Sequence, residues 1–107
     1  MILKEPITDL EKTLYESIRL VDDPEIGISL MELGLIYDIR IEGNKVFVEM
    51  TLTSLACPLG PQLQSEVYNA CLRVDGIEDA EVNIVWSPRW DPREMASDEA
   101  KMELGFY

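Results

Sequence analysis

The run Met50-Thr51-Leu52-Thr53-Ser54-Leu55-Ala56-Cys57-Pro58 holds the residue types best suited to chemistry. Met50 and Leu52 alternate with Thr51 and Thr53, the period of a half-buried strand. The strand then gives way to a turn that ends in a cysteine directly before a proline. Pro58 suits the first position of a helix, because a missing N–H costs nothing there. Cys57 is therefore expected where a strand hands over to a helix N-terminus. Backbone N–H groups and the positive end of the helix dipole act on such a position. A thiol held there is biased toward thiolate, the form that attacks electrophiles and binds metals. A free cysteine is also a small hydrophobe that buries easily, and residue type alone does not separate the two roles.

The second candidate group is Val21-Asp22-Asp23-Pro24-Glu25, with three carboxylates in four residues. Such a cluster either binds a cation or ends and solvates a helix. Asp23 precedes a proline and so is extended or in a turn. The other cysteine, Cys71, falls in the apolar stripe of a helix and reads as a core residue. Fourteen residues of helix rise about 21 Å, so Cys71 is not expected to share a metal ion with Cys57.

Composition removes whole classes of function. Histidine is absent, so neither a Ser-His-Asp nor a Cys-His pair forms within one chain. Two thiols do not complete a structural zinc site, and their spacing is not a CxxC redox motif. The net charge is −12, from 21 acidic and 9 basic residues, which argues against nucleic acid and anionic membranes as partners. No apolar run approaches the roughly 20 residues of a membrane span. The first residues lack signal-peptide architecture, so a soluble, cytoplasmic protein is expected. The 107 residues, 47% of them hydrophobic, fit one domain over 1–107. Its core is expected at about 8–86, with a tryptophan-rich loop and C-terminal helix over 87–107.

The elements that must position these residues follow from periodicity. Thr8 and Glu11 form a capping box for a helix over about 8–21, with Leu10, Leu14, Ile18 and Val21 as its buried stripe. The apolar segment 26–34 contains two glycines and reads as a loop that packs on the core. Alternation places Leu35, Tyr37, Ile39 and Ile41 on one face of a first strand. A turn at 42–45 leads to a second strand over 46–53. A second helix over about 58–74 buries Leu59, Leu63, Val67, Ala70, Cys71 and Val74. Ala80, Val82, Ile84 and Trp86 alternate along a third strand over 79–86. Asp91 and Ser97 look like helix starts, and Gly105 looks like a helix stop. The expected fold is α/β (α+β), a two-layer sandwich of two helices on one face of a small three-stranded sheet.

The ordered set Asp23-Pro24-Glu25, Leu33-Gly34-Leu35-Ile36-Tyr37, Thr51-Leu52-Thr53 with Cys57-Pro58, and Trp86-Ser87-Pro88-Arg89-Trp90, followed by Ser97 and Leu104-Gly105-Phe106, resembles one family. It is the small iron–sulfur assembly (metal–sulfur cluster biosynthetic) family. Its members include SufT, the PaaD component of phenylacetate degradation and the cytosolic target-maturation factor of eukaryotes. The same domain precedes the P-loop ATPase in some Mrp/ApbC-type cluster carriers. The resemblance covers residues 9 to 107. It implies a helix-strand-strand-helix-strand fold like the C-terminal domain of NifU, and a role in maturing iron–sulfur proteins. It also implies that Asp23, Glu25, Thr51, Thr53 and Cys57 gather in one pocket. Ser29 and Glu32 depart from the pattern, standing where the family usually has Asn or Asp and often has Asp.

Three functions are weighed on this basis. The leading one is an accessory factor, not an enzyme, for assembly of iron–sulfur clusters or their transfer to client proteins. Cys57 would be its metal-contacting residue, and any bound cluster or iron would be transient. A stable cluster usually takes four thiolate-type ligands, so a cluster on Cys57 would be shared across a homodimer, or with a client, carrier or scaffold. The second is a metal-free adaptor that docks a client or carrier through its tryptophan-rich tail, as a PaaD-like component maturing a multicomponent oxygenase would. The third is a thiol enzyme in which Thr51 or Thr53 assists Cys57, disfavoured because no histidine base exists.

Overall fold

The computed structural model describes residues 3, 5–24, 26–52 and 60–105. Helix α1 spans Asp9–Arg19 and begins with the expected capping box. The Glu11 N–H donates to Thr8 Oγ1 at 3.1 Å, and the Thr8 N–H donates to Glu11 Oε1 at 2.9 Å. Two orphan donors of the first turn are thereby satisfied. Leu14 and Ile18 are fully buried, and Val21 nearly so.

Two short strands follow, β1 (Asp22–Asp23) and β2 (Ile28–Ser29), paired antiparallel. A four-residue helix, α2 (Leu30–Leu33), comes directly after. The loop expected over 26–34 thus contains regular structure. Ser29 caps α2 by accepting from the Met31 N–H at 3.2 Å, and Gly34 ends it with φ of 77°. The expected packing on the core is present, since Leu30, Met31 and Leu33 are all buried.

Strands β3 (Ile36–Glu42) and β4 (Lys45–Met50) form an antiparallel hairpin across Gly43-Asn44. Helix α3 (Gly60–Leu72) crosses over to β5 (Asp79–Ile84), which lies parallel to β4. The sheet order is β3-β4-β5. Inward residues align across it, with Val46 opposite Ala80, Val48 opposite Val82 and Met50 opposite Ile84. These residues join Leu14, Ile18, Leu63, Val67, Ala70 and Cys71 in one core, so α1 and α3 cover a single face. Each fully buried aliphatic side chain contributes about 2 kcal/mol. The two-layer α/β sandwich is as expected. No helix among the described residues is long and apolar enough to cross a membrane.

Several boundaries and one face differ from expectation. Pairing ends at Met50 and Ile84, and helix α3 ends at Leu72, all two to three residues early. The first strand does not keep Leu35, Tyr37, Ile39 and Ile41 on one face. Ile36 pairs with Met50 and Asp38 with Glu49, so the register shifts at Tyr37. A bulge inserts one residue there and re-aims a side chain. Ile36 therefore joins Ile39 on the core side, and Tyr37 reaches instead toward the C-terminal tail.

That tail folds back. Helices α4 (Pro92–Met95) and α5 (Asp98–Leu104) start at Asp91 and Ser97 as expected, and α5 stops at Gly105. The two tryptophans divide. Trp90 packs against the core and donates from Nε1 to the Leu33 carbonyl at 2.9 Å, whereas Trp86 is 46% exposed. The Ser97 N–H donates to the Glu32 carbonyl at 2.7 Å.

Gly34 is the closest point of this docking. A Cβ there would lie 2.2 Å from the Met95 carbonyl oxygen, whereas one at Gly43 would meet nothing within 4 Å. Both glycines have positive φ. Gly43→Ala is expected to cost about 1 kcal/mol of backbone strain alone. Gly34→Ala is expected to cost about 3 kcal/mol or more, because the tail must also move. Urea denaturation of the two variants measures the difference; equal losses would mean that the close approach does not hold the tail.

Candidate functional site

Three of the five residues expected to form the site, Glu25, Thr53 and Cys57, lie outside the described residues. So does Pro58, the expected first residue of the helix. The structure places the other two, Asp23 and Thr51, and both ends of the segment that carries Cys57.

The two ends meet. A Cβ on Gly60, the first residue of α3, would lie 3.0 Å from Leu52 Cδ1 and 3.6 Å from Ile84 Cδ1. Leu52 itself is buried. The chain therefore leaves the end of β4 and returns to start α3 at the same spot, beside the end of β5. Gly60 permits that contact because it has no side chain. Residues 53–59 run between these two anchored points.

Thr51 is 1% exposed, and its N–H donates to the Leu35 carbonyl at 2.8 Å. Its hydroxyl hydrogen-bonds the Tyr37 phenol. Tyr37 donates to the Pro88 carbonyl at 2.9 Å, and Met95 Sδ lies 3.5 Å from the same oxygen. With its one proton given to Pro88, the phenol oxygen accepts from Thr51. Burial raises the Tyr37 pKa, and the Thr51 bond opposes that rise. Thr51 thus ties the end of β4 to the bulge in β3 and to the tail. The pocket expected of Asp23, Glu25, Thr51, Thr53 and Cys57 includes three residues outside the described set.

Asp23 is 4% exposed at the end of β1. Its Oδ1 accepts from the Ile26 N–H at 3.3 Å, and its carbonyl accepts from the Gly27 N–H at 2.6 Å. The carboxylate thus helps to shape its own turn, which Gly27 closes with φ of 78°. Among the described residues, no three His, Cys, Asp or Glu side chains come together as a metal ion would need.

Cys71 is fully buried in α3, as its stripe position predicts. Burial pushes its thiol from 9.0 up to about 12. The neutral thiol is the stable form there, and neither nucleophile nor metal ligand results.

Sequence reasoning found Thr51, placed Tyr37 only on a strand face, read Trp90 as an anchor of a tail that either folds back on the core or meets a partner, and gave Met95 no role. The signal for them was nonlocal. Leu33-Gly34-Leu35-Ile36-Tyr37 and the Trp86–Trp90 run are distant in sequence, and they touch only because the tail folds back.

Residues 11–84 match the family model described as iron–sulfur cluster assembly protein. The chain belongs to this family. It is 46% identical over 87 residues to the Fe-S protein maturation auxiliary factor SufT of Staphylococcus aureus (strain USA300), covering 80% of this chain and 98% of that protein. An iron-sulfur cluster carrier protein of Deinococcus radiodurans is 33% identical over 73 residues, 68% of this chain but 21% of the carrier. Among solved structures, a domain of unknown function, DUF59, from Bacillus anthracis superposes with a TM-score of 0.81 at 38% identity, covering 92% of this chain and 93% of that one. The iron–sulfur assembly family thus accounts for both the fold and the motif order read from the residues.

Two measurements follow from the cysteines. Timed alkylation of the folded protein, read by mass spectrometry, is expected to label Cys57 first and Cys71 only on unfolding; equal labelling would count against Cys57 as the reactive thiol. Stability should also fall at alkaline pH. The unfolded thiol ionises near its ordinary value while the folded one keeps its proton. The resulting stabilisation is complete below about pH 9 and is lost as pH rises toward about 12. Burial also raises Tyr15 and Tyr37 from 10.0, so their contribution begins later. Cys71→Ala is expected to flatten the fall in stability between about pH 9 and 10, measured by denaturation at each pH. An unchanged slope would show that Cys71 ionises freely in the native state.

Proposed function

We propose that this chain is a non-catalytic accessory factor in assembling iron–sulfur clusters or delivering them to client proteins, with Cys57 as the thiol that meets the cargo. One observation carries the reading. The chain has two cysteines and no histidine, and burial holds Cys71 as a neutral thiol. That leaves Cys57 as the thiolate ligand for iron, in a chain that spans 98% of a maturation auxiliary factor. Thiolate suits iron and bridging sulfide, while Asp23, Glu25, Thr51 and Thr53 would offer harder oxygen donors beside it.

A cluster usually takes four thiolate-type ligands, and one chain supplies one. The cluster is therefore cargo held jointly, by two chains of this protein or by this chain and a client or carrier. The likeness to one part of an iron-sulfur cluster carrier protein supports carriers as partners. Shared coordination favours handover over storage.

A second reading, a metal-free adaptor, draws on a specific observation. The Thr51 hydroxyl is engaged by Tyr37 and the Asp23 carboxylate by its own turn, so both have structural work without a metal.

Anaerobic reconstitution with ferrous iron and sulfide tests the proposal on wild type, Cys57→Ser and Cys71→Ala. Wild type and Cys71→Ala are expected to take up a labile cluster, about one per two chains where two Cys57 thiols meet. Cys57→Ser is expected to take up none and to fail in client maturation. Full client maturation by Cys57→Ser would favour the adaptor. A chelator-resistant cluster on Cys57→Ser would overturn the ligand assignment.

A further inference from the structure

We propose that the open edge of β5 receives an extended, basic segment of a partner protein as a fourth strand. The inference concerns partner recognition and is independent of how cargo is held. Among the described residues, β5 pairs on one side only. The hydrogen bonds show which groups face outward. The Val85 N–H donates to Met50, the register partner of Ile84, so within the strand odd-numbered residues turn their backbone toward the β4 side. In a parallel pair, alternate residues present both N–H and C=O to the same side. Ala80, Val82 and Ile84 therefore offer theirs to the free edge. One of these groups already has an outside partner, since Gln64 Nε2 of α3 donates to the Val82 carbonyl at 3.0 Å.

Beside this edge lies a shallow groove lined by Pro61, Gln64, Ser65, Tyr68 and Val82. Tyr68 is 37% exposed. An added strand would turn alternate side chains into this groove and the others onto the open face of the sheet. There β5 carries Asp79 and Glu81, with Asn83 donating to Glu81 at 3.1 Å. Lys45 of β4 lies 3.8 Å from Asp79, and Lys45 and Arg40 both lie over the ring of Phe47, the residue opposite Glu81. Glu81 has no cation paired with it among these groups. The matching segment therefore alternates apolar and basic residues, and its backbone supplies the affinity.

Charge disfavours a second copy of this chain. Antiparallel pairing of two β5 strands sets Asp79 against Glu81 when centred on Ala80 and Glu81 against itself when centred on Glu81; centred on Val82 it sets Glu81 against Asn83, and there only the overall charge opposes it. Like charges directly opposite are destabilising, and each chain carries a net −12. Acidic guards of this kind repel another copy while leaving the edge open to a basic strand.

The probe is an acetylated, amidated peptide of alternating Lys and Val, titrated into the isotope-labelled protein and followed by NMR. Shifts and slowed exchange are expected at the Ala80, Val82 and Ile84 amides. The same peptide with alternate backbone nitrogens methylated keeps its charge but loses strand pairing, and is expected not to bind. Val82→Pro removes an edge N–H without touching the β4 ladder and should weaken binding about fivefold or more. Gln64→Ala frees the Val82 carbonyl and should strengthen binding, an effect that simple charge attraction would not produce. Glu81→Lys should abolish it. Equal binding of the methylated peptide, no response at the three amides, or no binding at millimolar peptide would overturn the proposal. Should Val82→Pro unfold the domain, the methylated peptide and Gln64→Ala still decide.

Discussion

A helix of four residues cannot satisfy its own last carbonyls, and α2 is such a helix. Two of the four are closed locally. The Leu35 N–H donates to Leu30 at 3.0 Å and the Gly34 N–H to Met31 at 3.2 Å, the paired bonds of a Schellman end. The other two depend on the tail. Glu32 accepts from the Ser97 N–H, and Leu33 accepts from Trp90 Nε1. A buried carbonyl left unpaired costs about 1–3 kcal/mol. The tail must therefore come close, and it does so across Gly34, where no side chain stands in the way of the Met95 backbone.

The consequence travels from α2 to the end of β4. Leu35, the residue after the Schellman glycine, accepts from the Thr51 N–H, and Tyr37 links the Thr51 hydroxyl to the Pro88 carbonyl. Helix, bulge, tail and strand end form one hydrogen-bonded unit. The chain departs from that unit into the segment bearing Cys57 and returns to it at Gly60, against Leu52. Both ends of that segment are thus held by contacts with the sheet, Leu52 on one side and Gly60 on the other. Arg19 of α1 adds an ion pair to Glu32, which also connects the helical layer to α2.

Local chemistry was legible in the sequence wherever a few adjacent residues decide the outcome. Thr8 with Glu11, Asp91, Ser97 and Gly105 all mark helix ends as read, because capping involves only the N–H groups just after an N-cap or the carbonyls just before a C-cap. The buried stripe of α3, with Cys71 in it, followed from spacing alone. The bulge at Tyr37 was not legible, because register depends on what the facing strand and the tail demand. An alternating run Leu35, Tyr37, Ile39, Ile41 looks the same with or without an inserted residue. The helix α2 was missed for a related reason. Its four residues are too few for a period, and two of its caps lie more than fifty residues away. Of the candidate site, the roles of Asp23 and Thr51 changed most. Both were read as groups facing a thiol, and both also hold backbone or tail in place.

Electrostatics bears on why an assembly factor would hold its cargo weakly. Iron–sulfur clusters bound by thiolates carry net negative charge, and that charge tunes their properties. In the proposed role, a chain with 21 acidic and 9 basic residues would receive such a cargo against its own field. Screening confines the effect, since at physiological salt the Debye length is about 8 Å. In the proposed site, carboxylates near the thiol would still count, and Asp22, Asp23 and Glu25 are close together in sequence. A partner with more basic surface would hold the same anionic cluster at lower cost. In the proposed role, thiol scarcity and acidic surface would act in the same direction: a cluster would be taken up only with help and given up to a better-equipped neighbour. A basic strand docked on the acidic β5 edge would bring such a neighbour alongside without occupying the thiol, so recognition and transfer need not compete for the same groups.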